Sequence, residues 1–145
     1  MTSNSSSTGL TGQDLRLVRA CFLIAALWNF AGAVPAIIDP TGMFAREFGR
    51  VLSDPVQIAV YRGAWVTSLL YGLGFLAVAY NPARHSGVVV MGGLGKALFA
   101  INLTYMHLNG WTSPFTVLVI IGDIAFVVAF TLYFLRLRRL GIPLL

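Results

Sequence analysis

The sequence predicts an all-α fold, a transmembrane four-helix bundle with both termini on the cytoplasmic side (N-in/C-in). Three observations predict it. Apolar residues make up 57% of the 145-residue chain and charged residues only 10%, whereas soluble domains carry about a quarter charged residues. The mean hydropathy is +0.80. The apolar residues also fall into four runs, each long enough at about 1.5 Å per residue to cross a hydrocarbon core of roughly 30 Å.

The first dozen residues, Met1 to Gly12, are rich in Ser, Thr and Gly and carry no charge. They lack the basic n-region of a signal peptide. Residues 1–14 therefore read as a disordered cytoplasmic tail, and residues 15–139 as the transmembrane domain. The first span is expected over 15–38, where Asp39-Pro40 stops it because proline disfavours helix in the residue before it. Pro35 is placed to kink its last turn. A periplasmic loop follows over 39–55. Within it Met43, Phe44, Phe48, Val51 and Leu52 recur at helical spacing, with Arg46, Glu47 and Arg50 between them. That pattern suits a short helix lying in the membrane interface; an irregular loop fits it nearly as well. The second span is expected over 56–80, and Asn81-Pro82-Ala83-Arg84-His85-Ser86-Gly87 is a tight polar turn. The third covers 88–108, closed by Asn109-Gly110-Trp111-Thr112-Ser113-Pro114. The fourth covers 115–135, stopped at the membrane surface by Arg136, Arg138 and Arg139. Residues 140–145 form a short cytoplasmic tail.

Orientation follows from the positions of Lys and Arg near the span ends. Arg16, Arg19, Arg84, Arg136, Arg138 and Arg139 lie on one side; only Arg46 and Arg50 lie on the other. The net charge of +5 thus reads as topology. No basic stripe runs along a polar face, so a nucleic-acid partner is not expected. Cys21 is the only cysteine and sits in an apolar run, where it reads as a small buried hydrophobe.

Ionisable residues within the spans carry the functional information, because charge in hydrocarbon is costly. Counting from the span ends, Arg62 lies roughly 9 Å and Asp123 roughly 12 Å below the outer surface of the core. Asn29 and Asn102 reach a similar height. The expectation is an interior polar layer in which Arg62 pairs with Asp123 and the two asparagines fill the remaining hydrogen-bond positions. Lys96, roughly 12 Å from the cytoplasmic side, is long enough to reach Asp123 or to snorkel to the inner surface. Asn29, Arg62, Lys96, Asn102 and Asp123 are therefore the candidate binding residues. Such polar residues also serve simply as glue between helices.

Other patterns carry less. His107 shares a helix face with Lys96, but His85 lies on the opposite side of the membrane, so neither a haem nor a metal finds a second ligand. No metal, cofactor or catalytic constellation is expected. Gly92-Gly93-Leu94-Gly95-Lys96-Ala97 has the wrong spacing for a phosphate loop. Its glycines suit close helix packing, with Gly93, Ala97 and Ala100 on one side.

Trp28-Asn29-Phe30-Ala31-Gly32, Asp54-Pro55, Tyr71-Gly72-Leu73-Gly74-Phe75, Asn81-Pro82-Ala83-Arg84, Gly92-Gly93-Leu94-Gly95-Lys96 and Gly122-Asp123-Ile124 occur in that order. In these motifs the chain resembles a family of small, uncharacterised bacterial four-helix membrane proteins over about residues 17–135. The resemblance implies a four-span inner-membrane fold and no activity.

Two functions fit. The first is a non-enzymatic inner-membrane protein, either a binding module or a subunit of an assembly. Four short spans bury little area, which favours a second copy of the chain or a larger membrane complex. The alternative is a small transporter or membrane enzyme for a lipophilic, quinone-like substrate. There Arg62 and Asp123 would act in an outward-facing pocket and Lys96 would face the inner side.

Overall fold

A computed structural model describes residues 12–141. Four of its helices are long and apolar enough to cross a membrane: α1 (Gly12–Ile38), α3 (Pro55–Tyr80), α4 (Ser86–Leu108) and α5 (Phe115–Arg139). A fifth, α2 (Pro40–Phe48), lies between α1 and α3, and a single 3-10 turn, Pro82–Arg84, joins α3 to α4. No strand occurs among the described residues. The expected boundaries hold within two residues, except that α1 begins about a turn before the expected start at Leu15 and α5 runs a turn past the expected end at Leu135, taking in Arg136, Arg138 and Arg139. Asp14 explains the early start. An anion in the first turn complements the helix dipole, and its carboxylate accepts a 3.0 Å bond from Arg136 on α5. The remainder of the expected N-terminal tail, residues 1–11, lies outside the described residues, as do residues 142–145.

The sequence starts α2 and α3 with the same device. Asp39 precedes Pro40, and Asp54 precedes Pro55. Each aspartate accepts a backbone N–H one turn on, from Gly42 at 2.9 Å and from Gln57 at 2.8 Å. Each proline occupies a first-turn position where its missing N–H costs nothing. Gly49 ends α2 in the left-handed conformation, φ 64°, which glycine adopts without a Cβ clash.

Neighbouring long helices run antiparallel. α1 lies closely along α3, and α4 along α5. Gly72 lets the Phe30 ring onto the α3 backbone; a Cβ there would fall 2.5 Å from it. At one end of the bundle all four long helices converge on Phe22, Phe75, Val89, Phe130 and Tyr133. Phe22 stacks on Phe130 at 4.8 Å and meets Tyr133 edge-on at 5.5 Å, while Phe75 meets Phe130 at 5.2 Å. Such ring pairs contribute about 0.5–1.5 kcal/mol each beyond area burial. The Tyr133 hydroxyl donates to the Pro82 carbonyl at 3.0 Å, tying the α3–α4 turn to α5.

Large apolar side chains face outward on every long helix, among them Leu27, Leu70, Leu98 and Leu132. Helices apolar all round, with this much exposed, suit lipid as their surroundings. At the end away from the aromatic core the two helix pairs stand apart. α2 lies across that gap, packed on α1, α3 and α5.

Candidate functional site

The gap between the helix pairs is a cavity of about 510 Å³. Its base is set by one carboxylate. Asp123 on α5 is 4% exposed and Lys96 on α4 is 7% exposed. Lys96 Nζ donates to Asp123 Oδ1 at 2.7 Å, and the indole Nε1–H of Trp28 on α1 donates to the same oxygen at 3.1 Å. Three helices thus meet on one atom, and the short ammonium contact is that of a charge-assisted bond. Local sequence makes room for this. Gly122, beside Asp123, lies under the Trp28 ring, and any Cβ there would collide with it. Gly92, one turn before Lys96, seats the edge of Phe75 in the same way. The Lys96 ammonium also sits 5.0 Å from the centroid of the Phe126 ring, a cation–π contact that offsets part of its desolvation.

These groups line the cavity and keep unused hydrogen-bonding capacity. No side-chain polar atom among the described residues is both sealed from solvent and without a hydrogen bond. Asp123 Oδ2 takes no bond from the protein and is not sealed from solvent, and Asp123 lines the cavity. An ammonium has three donors, and Lys96 spends one on Asp123. Asn29 donates from Nδ2 to the Ser68 carbonyl at 3.0 Å, which leaves its Oδ1 as a free acceptor on the same wall.

The opposite end is closed by α2. Its inward face carries Met43 and Glu47, both buried. The Tyr61 hydroxyl on α3 donates to Glu47 Oε2 at 2.6 Å. Burial pushes the Glu47 carboxyl up to about 7, although the Tyr61 bond lowers it. The backbone of α2 is pinned to the α4–α5 loop: the Ser113 N–H donates to the Glu47 carbonyl at 2.7 Å, and its hydroxyl donates to the Arg46 carbonyl. The same loop is held by His107 Nδ1, 2.8 Å from the Thr112 hydroxyl.

Along its side the cavity is open. α3 and α4 meet at Gly74–Val88, Phe75–Gly92 and Tyr71–Gly95. Further from the aromatic core, Ala64 and Thr67 on α3 and Phe99 and Asn102 on α4 line the cavity and are also exposed at the surface. The seam between these two helices therefore leads from the cavity into the region where lipid would lie.

Four of the five candidate residues from the sequence, Asn29, Lys96, Asn102 and Asp123, line this one cavity. Asn102 stands at its edge, with only a 3.7 Å contact to the Met106 sulfur. Arg62 does not join them. It is exposed, it does not line the cavity, and among the described residues it makes no ion pair. The expected Arg62–Asp123 pair is corrected to Lys96–Asp123. Tyr61 and Trp65 take the inward positions on that stretch of α3, and one residue of helix turns about 100°, so Arg62 is carried off the inner face. Sequence reasoning also missed Trp28 as a ligand of Asp123 and the Glu47–Tyr61 contact. The order Trp28-Asn29 was visible, but an indole in a membrane helix carries no sign of where its N–H points.

Comparison of the chain with models of known protein families, with curated proteins and with solved structures gives no match.

Proposed function

We propose that this chain is a membrane-embedded, non-enzymatic binding module that holds a lipophilic molecule in the cavity between its two helix pairs. One observation carries the reading: a cavity of about 510 Å³, walled mainly by apolar and aromatic side chains, ends on a buried Lys96–Asp123 pair with unused hydrogen-bonding capacity. Ligand sites combine those two properties, an apolar wall and a few convergent polar groups, within roughly 300–1,000 Å³. The cavity is built within one chain, so the reading needs no partner subunit. The transporter or enzyme alternative is less well supported. The aromatic core blocks a path to the far side of the bundle, and Arg62, its expected second charge, lies off the cavity.

The same proposal includes a bacterial inner membrane, membership in the four-helix family that the sequence resembles, and both ends of the chain in the cytoplasm. The excess of arginine at the ends of α1 and α5 and in the α3–α4 turn supports that orientation.

Native mass spectrometry of the protein released from membranes in mild detergent tests the reading. The expected result is a retained small lipophile at one per chain. Gly95→Leu should abolish it: Gly95 lines the cavity, and a Cβ there meets only ordinary contacts from 3.7 Å outward, to Tyr71. A chain that carries nothing, or a folded Gly95→Leu variant that carries as much as the wild type, would overturn it.

A further inference from the structure

The charge balance at the base of the cavity selects among lipophiles. Lys96 and Asp123 cancel within 2.7 Å of each other. The other carboxylate and the one guanidinium on the wall, Glu47 and Arg46, are on α2 at the opposite end. An anionic head placed at the base would be drawn by Lys96 but repelled by Asp123, and its own charge would stay uncompensated in a low-dielectric site. A cationic head meets the converse problem. An uncharged head that both donates and accepts meets neither. It can donate to Asp123 Oδ2 and accept from Lys96 Nζ, the two positions the protein leaves open. The wall is aromatic, with Trp65, Tyr71 and Phe99, and ring faces pack well against a flat ring. The open α3–α4 seam supplies a route from the bilayer that keeps the tail in hydrocarbon.

Building on the binding reading above, we propose that the cavity takes an uncharged lipophile whose head is a flat ring bearing a hydroxyl group. The molecule enters between α3 and α4 and docks its head between Asp123 Oδ2 and Lys96 Nζ.

Four probes of equal tail length test this in detergent-solubilised full-length protein: para-dodecylphenol, dodecylbenzene, para-dodecylbenzenesulfonate and para-dodecylbenzyl-trimethylammonium. Competition is read by native mass spectrometry. The phenol should bind about tenfold or more tightly than each of the others, the value of a hydrogen bond to a charged group. Asp123→Asn leaves Lys96 uncompensated, so the preference should switch to the sulfonate. If that variant does not fold, the doubly apolar Lys96→Met/Asp123→Leu protein should bind phenol and dodecylbenzene equally. If wild-type protein binds all four alike or prefers a charged probe, the head assignment is wrong while the binding reading stands. If no probe binds, or if binding is unchanged in Gly95→Leu, the binding reading itself fails.

Discussion

Lys96 and Trp28 converge on a single oxygen of Asp123, from helices at opposite sides of the cavity. The ammonium lies at 2.7 Å and the indole N–H at 3.1 Å. One carboxylate thereby links α1, α4 and α5 at the level where the helix pairs separate. Its second oxygen is left for something else.

Removing one member of this pair should destabilise the fold strongly. Asp123→Asn or Lys96→Met leaves a buried charge alone, a loss of about 3–5 kcal/mol. Lys96→Met/Asp123→Asn should recover most of it. Thermal unfolding of all three variants in one detergent, read as a double-mutant cycle, checks this. Additive losses would mean that the two groups do not interact.

Arg62→Ala should be silent. The side chain is exposed and off the cavity, and surface changes of this kind stay within about 0.5 kcal/mol. Unfolding and probe binding should both match the wild type. A loss comparable to that of Asp123→Asn would restore Arg62 to the interior.

Gly122→Ala should displace Trp28. The added methyl has no room against the ring, and overpacking of this sort costs about 1–3 kcal/mol. The near-ultraviolet circular dichroism of the tryptophans should weaken along with thermal stability. An unchanged spectrum at wild-type stability would show that the ring has space to retreat.

The docking of α2 should loosen as pH rises toward neutrality. The Glu47 carboxyl is pushed up to about 7 in the folded chain from an ordinary value of about 4.3. The folded state therefore binds this proton more tightly than the unfolded chain does. The sign follows from linkage: the contribution to stability is complete below about pH 4.3, declines as pH rises through about 7, and is flat beyond. Hydrogen exchange of the α2 amides should accelerate across that window, and Glu47→Gln should remove the trend. Equal pH dependence in both proteins would assign it to another group.

The positions of the helices were legible because they rest on local chemistry. Hydropathy located the four long runs, and Asp39-Pro40 marked the end of the first; that Asp39 and Asp54 also start the helices after them was not read from the sequence. The amphipathic pattern around Met43 located α2, although Gly49 ends it at Phe48, so Val51 falls outside the repeat and is 87% exposed. That Lys96 is long enough to reach Asp123 was legible too, since rise per residue is fixed; Asn102, expected at the height of Asp123, stands instead at the cavity edge. Rotation about each helix axis was not legible. Counting along the sequence put Asp123 and Arg62 near one level, but the direction in which each points is decided by packing among four helices that are apolar on every side. The same limit hid Trp28. Glu47 was hidden for another reason: its burial depends on α2 folding back over the cavity, a contact between segments that no local pattern encodes.

The rings of Phe22, Phe75 and Phe130 have a kinetic consequence. They turn the chamber into a cul-de-sac, so a guest must back out by the way it came. Residence time is then governed by how readily α3 and α4 part, and substitutions at Thr67, on that seam, should alter arrival and departure rates together.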